Sequence, residues 1–171
     1  MPTIARAGAD ALDQLEPLWL ELHHHHQAVG GEQLGPYVTD AVSWPLRRKL
    51  YAEVLDGGGF LLLAHDDAGL AAYAVVAITD AADSLLGDTW RTGARVAEIE
   101  TLLVLPRARG AGLGSALLDR VDEELAAAGV ADVFIGAVLT NTDAIRLYER
   151  RGFRPAWVYM LRLAGAPPVR E

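Results

Sequence analysis

The apolar and polar positions at the start of the chain predict a strand followed by a helix. Residues 3–7 have the short alternating pattern of a strand. Asp10 is a suitable cap for a helix that follows, because four apolar side chains then fall on one helical face: Leu12, Leu15, Trp19 and Leu22. Pro17 lies inside this pattern, so we expect a kink or a break there.

A second helix is predicted after a loop at residues 30–36. Ser43 is a suitable N-cap, and Trp44 and Pro45 then open the helix, because proline is favoured in a first helical turn. The helix continues to about Leu55, and a run of three glycines ends it.

The middle of the chain has the pattern of three strands. Apolar runs at 60–64 and 70–78 are joined by an Asp- and Gly-rich link, which predicts a hairpin. A polar loop at 79–93 contains Trp90, and a longer strand at 95–105 is stopped by proline. After it we expect a helix at 113–128, a strand at 132–139, a helix at 141–151 capped by Asn141, and a last strand at 157–163.

This order of elements predicts a mixed α/β fold. The strand, helix and strand between Val96 and Leu139 should form a parallel crossover unit, whereas the strands before them should be antiparallel. With 171 residues, we expect a single domain over residues 1–164 and a loose C-terminal tail over residues 165–171.

Composition excludes several kinds of protein. The chain has no cysteine, which excludes a disulfide scaffold, a thiolate zinc site and a cysteine nucleophile. A formal net charge of −8 argues against nucleic-acid binding, since that requires a basic face. No apolar run approaches the ~20 residues of a membrane span, and residues 1–10 lack the layout of a signal peptide. We therefore expect a cytoplasmic protein that does not bind membranes.

A glycine-rich turn between the 95–105 strand and the next helix is the most informative segment. It has the sequence Arg109-Gly110-Ala111-Gly112-Leu113-Gly114-Ser115. The start of a helix offers unpaired N–H groups and a partial positive charge, and glycines allow a close approach of the backbone. The segment therefore predicts a site for phosphate. Arg107 and Arg109 add local positive charge to an acidic chain.

Two known phosphate-binding patterns do not fit this turn. The dinucleotide pattern G-x-G-x-x-G fails because its last position is Ser115 or Leu117. The nucleotide P-loop requires Gly-Lys-Ser/Thr, and no lysine is near. What remains is Arg-x-x-Gly-x-Gly, with the alternative that its glycines serve only the packing of the helix against the strand.

The turn and a second motif resemble those of the GCN5-related N-acetyltransferases. The first motif is the strand end Leu102-Leu103-Val104-Leu105-Pro106 followed by Arg109 to Gly114. The second comprises Asn141, Ala144, Leu147-Tyr148-Glu149 and Gly152-Phe153. The order of elements fits the family from Thr3 to Leu163. The resemblance implies the acyl-CoA N-acyltransferase fold, a mostly antiparallel sheet with one parallel strand pair that splays apart at a bulge.

The resemblance also implies an enzyme that transfers the acetyl group of acetyl-CoA to a primary amine of a small molecule or peptide. The co-substrate is implied to bind along the strand edge, the glycine turn and the later asparagine: Leu103, Val104, Leu105, Arg109, Gly110, Ala111, Gly112, Leu113, Gly114, Ser115 and Asn141. No metal is implied. Family members are often dimers, so a homodimer is compatible with the resemblance.

Two catalytic residues are implied by the same resemblance. Glu100 matches a glutamate that acts as general base through water in some members, and Glu98, which shares its face of the strand, is the alternative. Carboxylates are unusual in so apolar a strand, although both could also be solvated on an exposed face. Tyr148 matches the tyrosine that protonates the departing thiolate, and its alternative role is aromatic packing.

The sequence gives less information about the part of the site that binds the acceptor amine. Four consecutive histidines, His23 to His26, are a poor metal site because only the first and last share a side of a helix. In the family the first helices line the acceptor site, so we expect residues 23–27, Tyr37, Trp44 and the loop with Trp90 to shape it. The acidic net charge mildly favours a cationic acceptor. The alternative function is a non-catalytic acyl-CoA sensor on the same fold.

Overall fold

The computed structural model describes residues 2–165 and contains one five-stranded sheet in the order β1-β2-β3-β4-β5. The first four strands are antiparallel to their neighbours, and β5 runs parallel to β4. The bounds are β1 Thr3–Ala7, β2 Phe60–Asp66, β3 Gly69–Asp80, β4 Arg95–Val104 and β5 Asp132–Ile135. The predicted fold class is confirmed.

In the described part of the chain, four α-helices flank the sheet: α1 Glu16–Gly30, α2 Asp40–Asp56, α3 Leu113–Ala127 and α4 Thr142–Arg150. A 3-10 helix, Ala9–Leu15, precedes α1 and starts after Gly8, so Asp10 lies in its first turn and does not cap it. Pro17 is in the first turn of α1, where the chain changes from 3-10 to α-helix. The predicted break at this proline is therefore confirmed.

Each face of the sheet is covered by its own hydrophobic core. On one face, the sheet packs against α3 and α4 through residues such as Val76, Ile99 and Leu117. On the other face, it packs against α1 and α2 through residues such as Trp19 and Tyr51. Helices on both faces leave only the edges and ends of the sheet accessible to a ligand.

The predicted start of α2 is wrong. The helix begins three residues before Ser43, at Asp40, and Pro45 lies inside it. Ser43 is buried, and its Oγ accepts a hydrogen bond from the Trp19 indole N–H at 2.9 Å. This contact between α1 and α2 makes Ser43 part of the core, which local capping rules do not reveal.

Two predictions near the C-terminus are also corrected. The strand expected at 132–139 ends at Ile135, where its pairing with β4 stops, so residues 136–139 have no partner strand within residues 2–165. The strand expected at 157–163 is absent from the described residues, and its side chains from Trp157 to Met160 are more than half exposed. A favourable alternating pattern does not make a strand when no neighbouring strand supplies hydrogen bonds. The predicted tail at 165–171 lies, except for Gly165, outside the described residues.

Candidate functional site

The parallel strands β4 and β5 separate in the middle of β4. Their pairing runs from Val96 opposite Asp132 to Ile99 opposite Ile135 and ends there. β4 continues to Val104, so the last half of this strand has an open edge beside β5. An open edge can accept an extended ligand by strand-like hydrogen bonding.

A β-bulge lies at the point of separation. On β3, Val75 is opposite Thr101 and Val76 is opposite Ile99, so Glu100 has no partner. At this point β4 has one residue more than β3. This extra residue shifts the alternation of side chains along β4. Ile99 and Leu102, three residues apart, consequently both face the α3 side. This spacing of three is the sequence signal from which the bulge could have been placed.

Backbone groups at the end of β4 point alternately to β3 and to the open edge. The Leu105 N–H donates to the Ala71 carbonyl at 2.9 Å, so this residue faces β3. The Val104 carbonyl faces the open edge and accepts a hydrogen bond from Arg109 Nε at 3.0 Å. Of the three predicted edge residues Leu103, Val104 and Leu105, the central one is therefore placed to pair with a ligand.

The glycine turn forms an exposed loop leading into α3. Gly110 and Gly112 have φ angles of +81° and +82°, which lie in the left-handed region that favours glycine. The first hydrogen bond of the helix runs from the Ala116 N–H to the Gly112 carbonyl. Within residues 2–165, the backbone N–H groups of residues 110–115 have no hydrogen-bond acceptor. This row of free N–H groups at a helix N-terminus is suited to an anion.

Gly114 has a different role from the two glycines before it. A Cβ atom at this position would lie 3.3 Å from Leu147 Cδ2 of α4 and 3.5 Å from Val104 Cγ2 of β4. The absence of a side chain thus lets α3 approach both elements closely. The alternative interpretation, that a glycine is needed for the packing of the helix against the strand, therefore applies to Gly114. It does not apply to the exposed Gly110 and Gly112.

The two arginines of the turn differ in their surroundings. Arg107 donates to Asp66 at 2.5 Å and to the Leu70 carbonyl at 2.9 Å, so it is tied to the β2–β3 hairpin. Arg109 is exposed, and within residues 2–165 its side chain forms a single hydrogen bond, from Nε to the Val104 carbonyl at the end of β4. Its terminal nitrogens are therefore the ones available to a phosphate at the turn.

Glu98 and Glu100 are both half-buried beside the point where the strands separate. Burial and the neighbouring charge of Glu100 raise the pKa of Glu98 to about 7. Burial also raises the pKa of Glu100, but the positive charge of Arg47 on α2 opposes the increase. A carboxyl group with a pKa near 7 is suited to exchange protons at neutral pH.

A buried hydrogen-bonded cluster lies under the bulge. The Tyr51 hydroxyl is 2.6 Å from Thr101 Oγ1 and 3.0 Å from the Tyr73 hydroxyl. Thr101 Oγ1 in turn donates to the Glu100 carbonyl at 2.8 Å. The cluster connects α2 to the backbone of the bulge, and its residues were not identified from sequence because they come from three separate elements.

Tyr148 and Asn141 lie on α4, which packs against the first turn of α3. The Asn141 side chain accepts a hydrogen bond from the Ala144 N–H at 3.4 Å, which confirms the predicted helix cap. Tyr148 is buried against Phe153, and burial raises the pKa of its hydroxyl to about 12. The hydroxyl is not completely buried and has no hydrogen-bond partner within residues 2–165, so it remains a neutral donor accessible to a ligand.

The C-terminal part of α1 contacts the chain that leaves β5, on the side where the acceptor is expected. Thr140, in the chain that leaves β5, donates to the Val29 carbonyl of α1 at 2.5 Å. His23 is buried with Nε2 3.0 Å from the Val38 carbonyl, and His24 bonds to Asp40 of α2 at 2.9 Å. His23 thus ties α1 to the loop before α2, and His24 ties α1 to the first residue of α2.

His26 has a different environment from its neighbours in the histidine run. Burial first, then the charges of His25 and Arg47, lower its pKa to about 4. Its imidazole is therefore neutral at pH 7. Of the other residues expected on the acceptor side, Trp44 is buried in the core, Tyr37 bonds to the Gly31 carbonyl, and Trp90 packs edge-on against Trp157.

The described residues contain neither a cluster of three or more His, Asp or Glu side chains arranged to hold a metal ion nor a helix long and apolar enough to cross a membrane. The histidine run accordingly has no third ligand among residues 2–165.

Comparisons with known proteins agree with this geometry. The model of the acetyltransferase (GNAT) family matches residues 19–153. An IAA acetyltransferase of Azospirillum brasilense is 34% identical over 56 residues, which are 33% of this chain and 37% of that protein, so the chain matches little more than a third of its curated relative.

Solved structures with a similar fold cover nearly the whole chain. A tetramutant of the BH1408 protein of Bacillus halodurans has a TM-score of 0.74 at 19% identity, covering 94% of this chain and 99% of that one. A GCN5-related N-acetyltransferase from Ralstonia eutropha has a TM-score of 0.69 at 22% identity, with coverages of 96% and 100%. A predicted acetyltransferase of Clostridium acetobutylicum solved with acetyl-CoA has a TM-score of 0.64 at 17% identity, with coverages of 94% and 96%. At these identities, the likeness concerns the fold.

Proposed function

Because the chain belongs to the acetyltransferase (GNAT) family, as its match over residues 19–153 shows, we propose that it transfers the acetyl group of acetyl-CoA to a primary amine by direct attack. The observation that carries this proposal is that β4 and β5 separate at the Glu100 bulge and that β4 then leads into a turn of free backbone amides. The separated strands provide an open edge for an extended arm, and the turn provides donors for a diphosphate.

The proposed binding residues contact different parts of acetyl-CoA. Amides from Gly110 to Ser115 and the side chain of Arg109 bind the phosphates of acetyl-CoA. The open edge at Val104 pairs with the amide-bearing arm. Asn141 orients the start of α4 through its cap, and its contact with the co-substrate remains a prediction.

The proposed chemistry uses one base and one acid. The amine nitrogen forms a bond to the acetyl carbonyl carbon while the carbon–sulfur bond of the thioester breaks. The Glu98 and Glu100 pair accepts the proton that the nitrogen loses, directly or through water. Glu100 lies at the bulge beside the open edge, whereas Glu98 has the pKa of about 7 that suits a base. The Tyr148 hydroxyl donates its proton to the departing sulfur.

The second candidate function is a non-catalytic acyl-CoA sensor. Such a sensor would bind acyl-CoA with the same glycine turn and the same open edge of β4. The half-buried carboxylates favour the enzyme, because a pair of like charges in this position weakens folding and is not needed to bind acetyl-CoA. A single domain over residues 1–164, a cytoplasmic location and a homodimer stay predictions.

Two assays with the purified protein test the proposal. Acetyl-CoA at 100 times its Kd should raise Tm by roughly 5–10 °C, whereas NAD and ADP should raise it less. Release of free CoA thiol should depend on an added amine from a panel of small amines, amino acids and peptides. Thermal stabilisation without amine-dependent thiol release would favour the sensor, and the absence of both would refute the proposed function.

A further inference from the structure

Arg47 on α2 is held beside the candidate acceptor site by aromatic side chains. Its guanidinium carbon lies 4.1 Å above the Trp19 ring and 5.7 Å from the centre of the Tyr51 ring. The Trp19 ring is itself fixed, because its N–H donates to buried Ser43. Stacking on fixed rings orders the guanidinium before any ligand arrives.

The position of Arg47 relative to the bulge follows from its neighbours. Tyr51, one helical turn further along α2, is 2.6 Å from Thr101 Oγ1, and Thr101 follows the bulge residue Glu100. The charge of Arg47 lowers the pKa of Glu100 on β4 and of His26 on α1. The guanidinium therefore lies between α1 and the bulge, on the side of the sheet where the acceptor is expected.

Arg47 has no anionic partner among residues 2–165, unlike its neighbour Arg48 on α2. Arg48 forms an ion pair with Asp13 at 2.6 Å, and Arg107 forms one with Asp66. Among residues 2–165, no ion pair or hydrogen bond is formed by the Arg47 side chain, although it is half-buried. Its N–H groups are not completely enclosed, so a ligand can reach them.

We propose that Arg47 binds a carboxylate of the acceptor, and that the acceptors are therefore amino acids. The planar guanidinium fork matches a carboxylate with two parallel hydrogen bonds. Glu98 and Glu100 lie close by and attract the amino group of the same molecule, so the site complements both ends of a zwitterion. The inference rests on the proposed acetyltransferase function, and it revises the expectation from net charge that the acceptor is simply cationic.

The first test compares matched acceptors on the unmodified enzyme. The twenty common amino acids are screened for thiol release from acetyl-CoA, each beside its amide and its decarboxylated amine where these exist. We expect kcat/KM for the best amino acid to exceed that for its amide by about 10–100-fold, the usual range for losing hydrogen bonds to a charged group. Equal or higher kcat/KM for the amide would overturn the inference.

The second test assigns that preference to Arg47. In Arg47→Gln, the acid-to-amide ratio of kcat/KM should fall to near one, and Arg47→Lys should restore part of it. Using the ratio cancels the indirect effect of Arg47 on the pKa of Glu100, which acts equally on both acceptors. The control is Arg48→Gln, whose arginine pairs with Asp13, and this variant should keep the ratio of the unmodified enzyme.

The outcomes separate the inference from the function on which it rests. Acetylation of other amines but of no amino acid would overturn the inference and leave the acetyltransferase function in place. An unchanged acid-to-amide ratio in Arg47→Gln would also overturn it. Absence of both acetyl-CoA binding and thiol release would refute the proposed function, and the inference with it.

Discussion

Replacing Glu98 with glutamine should stabilise the protein while it removes activity. The carboxyl group is half-buried on β4, where burial and the charge of Glu100 raise its pKa from 4.5 to about 7. The folded protein therefore binds this proton more tightly than the unfolded chain does. An ionised Glu98 is then a cost to folding, which the neutral amide of Glu98→Gln avoids.

The sign and size of the effect follow from linkage. Between pH 4.5 and about 7, the folded state keeps a proton that the unfolded state has released, so the free energy of unfolding falls as pH rises through this window. The full difference in pKa corresponds to roughly 3 kcal/mol, and screening by solvent at a half-exposed carboxyl reduces this to about 1 kcal/mol. Glu98→Gln should thus leave Tm unchanged near pH 4 and raise it by about 2–4 °C at pH 8.

The same variant has a kinetic consequence. If the base titrates near pH 7, kcat/KM for the unmodified enzyme should rise with pH through this value. Glu98→Gln should lose this rise and about 10²-fold of kcat/KM. Glu100→Gln is the matched variant, because removing its charge lowers the pKa of Glu98 and should move the rise to lower pH.

Thermal denaturation and initial rates measured across pH 4–9 test both the expected change in stability and the expected change in kcat/KM. If Glu98→Gln raised Tm equally at pH 4 and pH 8, or lowered it at pH 8, the conclusion that an ionised Glu98 destabilises the folded protein would be refuted. A pH profile of kcat/KM that is the same in both variants as in the unmodified enzyme would refute the base role of the pair.

Three further substitutions, with Gly58→Ala as a control for one of them, address the rest of the site. Tyr148→Phe keeps the packing and removes the proton donor, so kcat should fall about 10²-fold at an unchanged KM for acetyl-CoA, and an unchanged kcat would exclude the acid role. Gly112→Ala places a side chain at a φ of +82°, so thermal denaturation should show a loss of about 1 kcal/mol and KM for acetyl-CoA should rise. Gly58→Ala, at a φ of +89° in the exposed turn after α2, should cost similar stability without raising KM, and a rise in both would deny the turn its binding role. Tyr51→Phe leaves the buried Tyr73 hydroxyl without its partner, so urea denaturation should show a loss of about 2 kcal/mol, whereas no loss would contradict the buried cluster.

Local patterns predicted most of the fold. The hairpin of β2 and β3, the helix α3 and the cap at Asn141 follow from turn residues and periodic apolar positions, whose effects act within a few residues. The parallel pairing of β4 and β5 was also predicted correctly, but two other predictions that depended on a distant partner were wrong. The last strand found no neighbour, and Ser43 proved to bond to Trp19 on another helix.

The sequence by itself determined the glycine turn and the order of strands and helices from β1 to α4, because backbone φ preferences and periodic burial are properties of adjacent residues. Only the tertiary structure decided where β4 and β5 separate, which of the two glutamates has a pKa near 7, and that Arg47 faces the same site. These features arise from the register of neighbouring strands, from desolvation and from charges that lie far apart along the chain. Each depends on distances in space that the spacing of residues in a sequence does not specify.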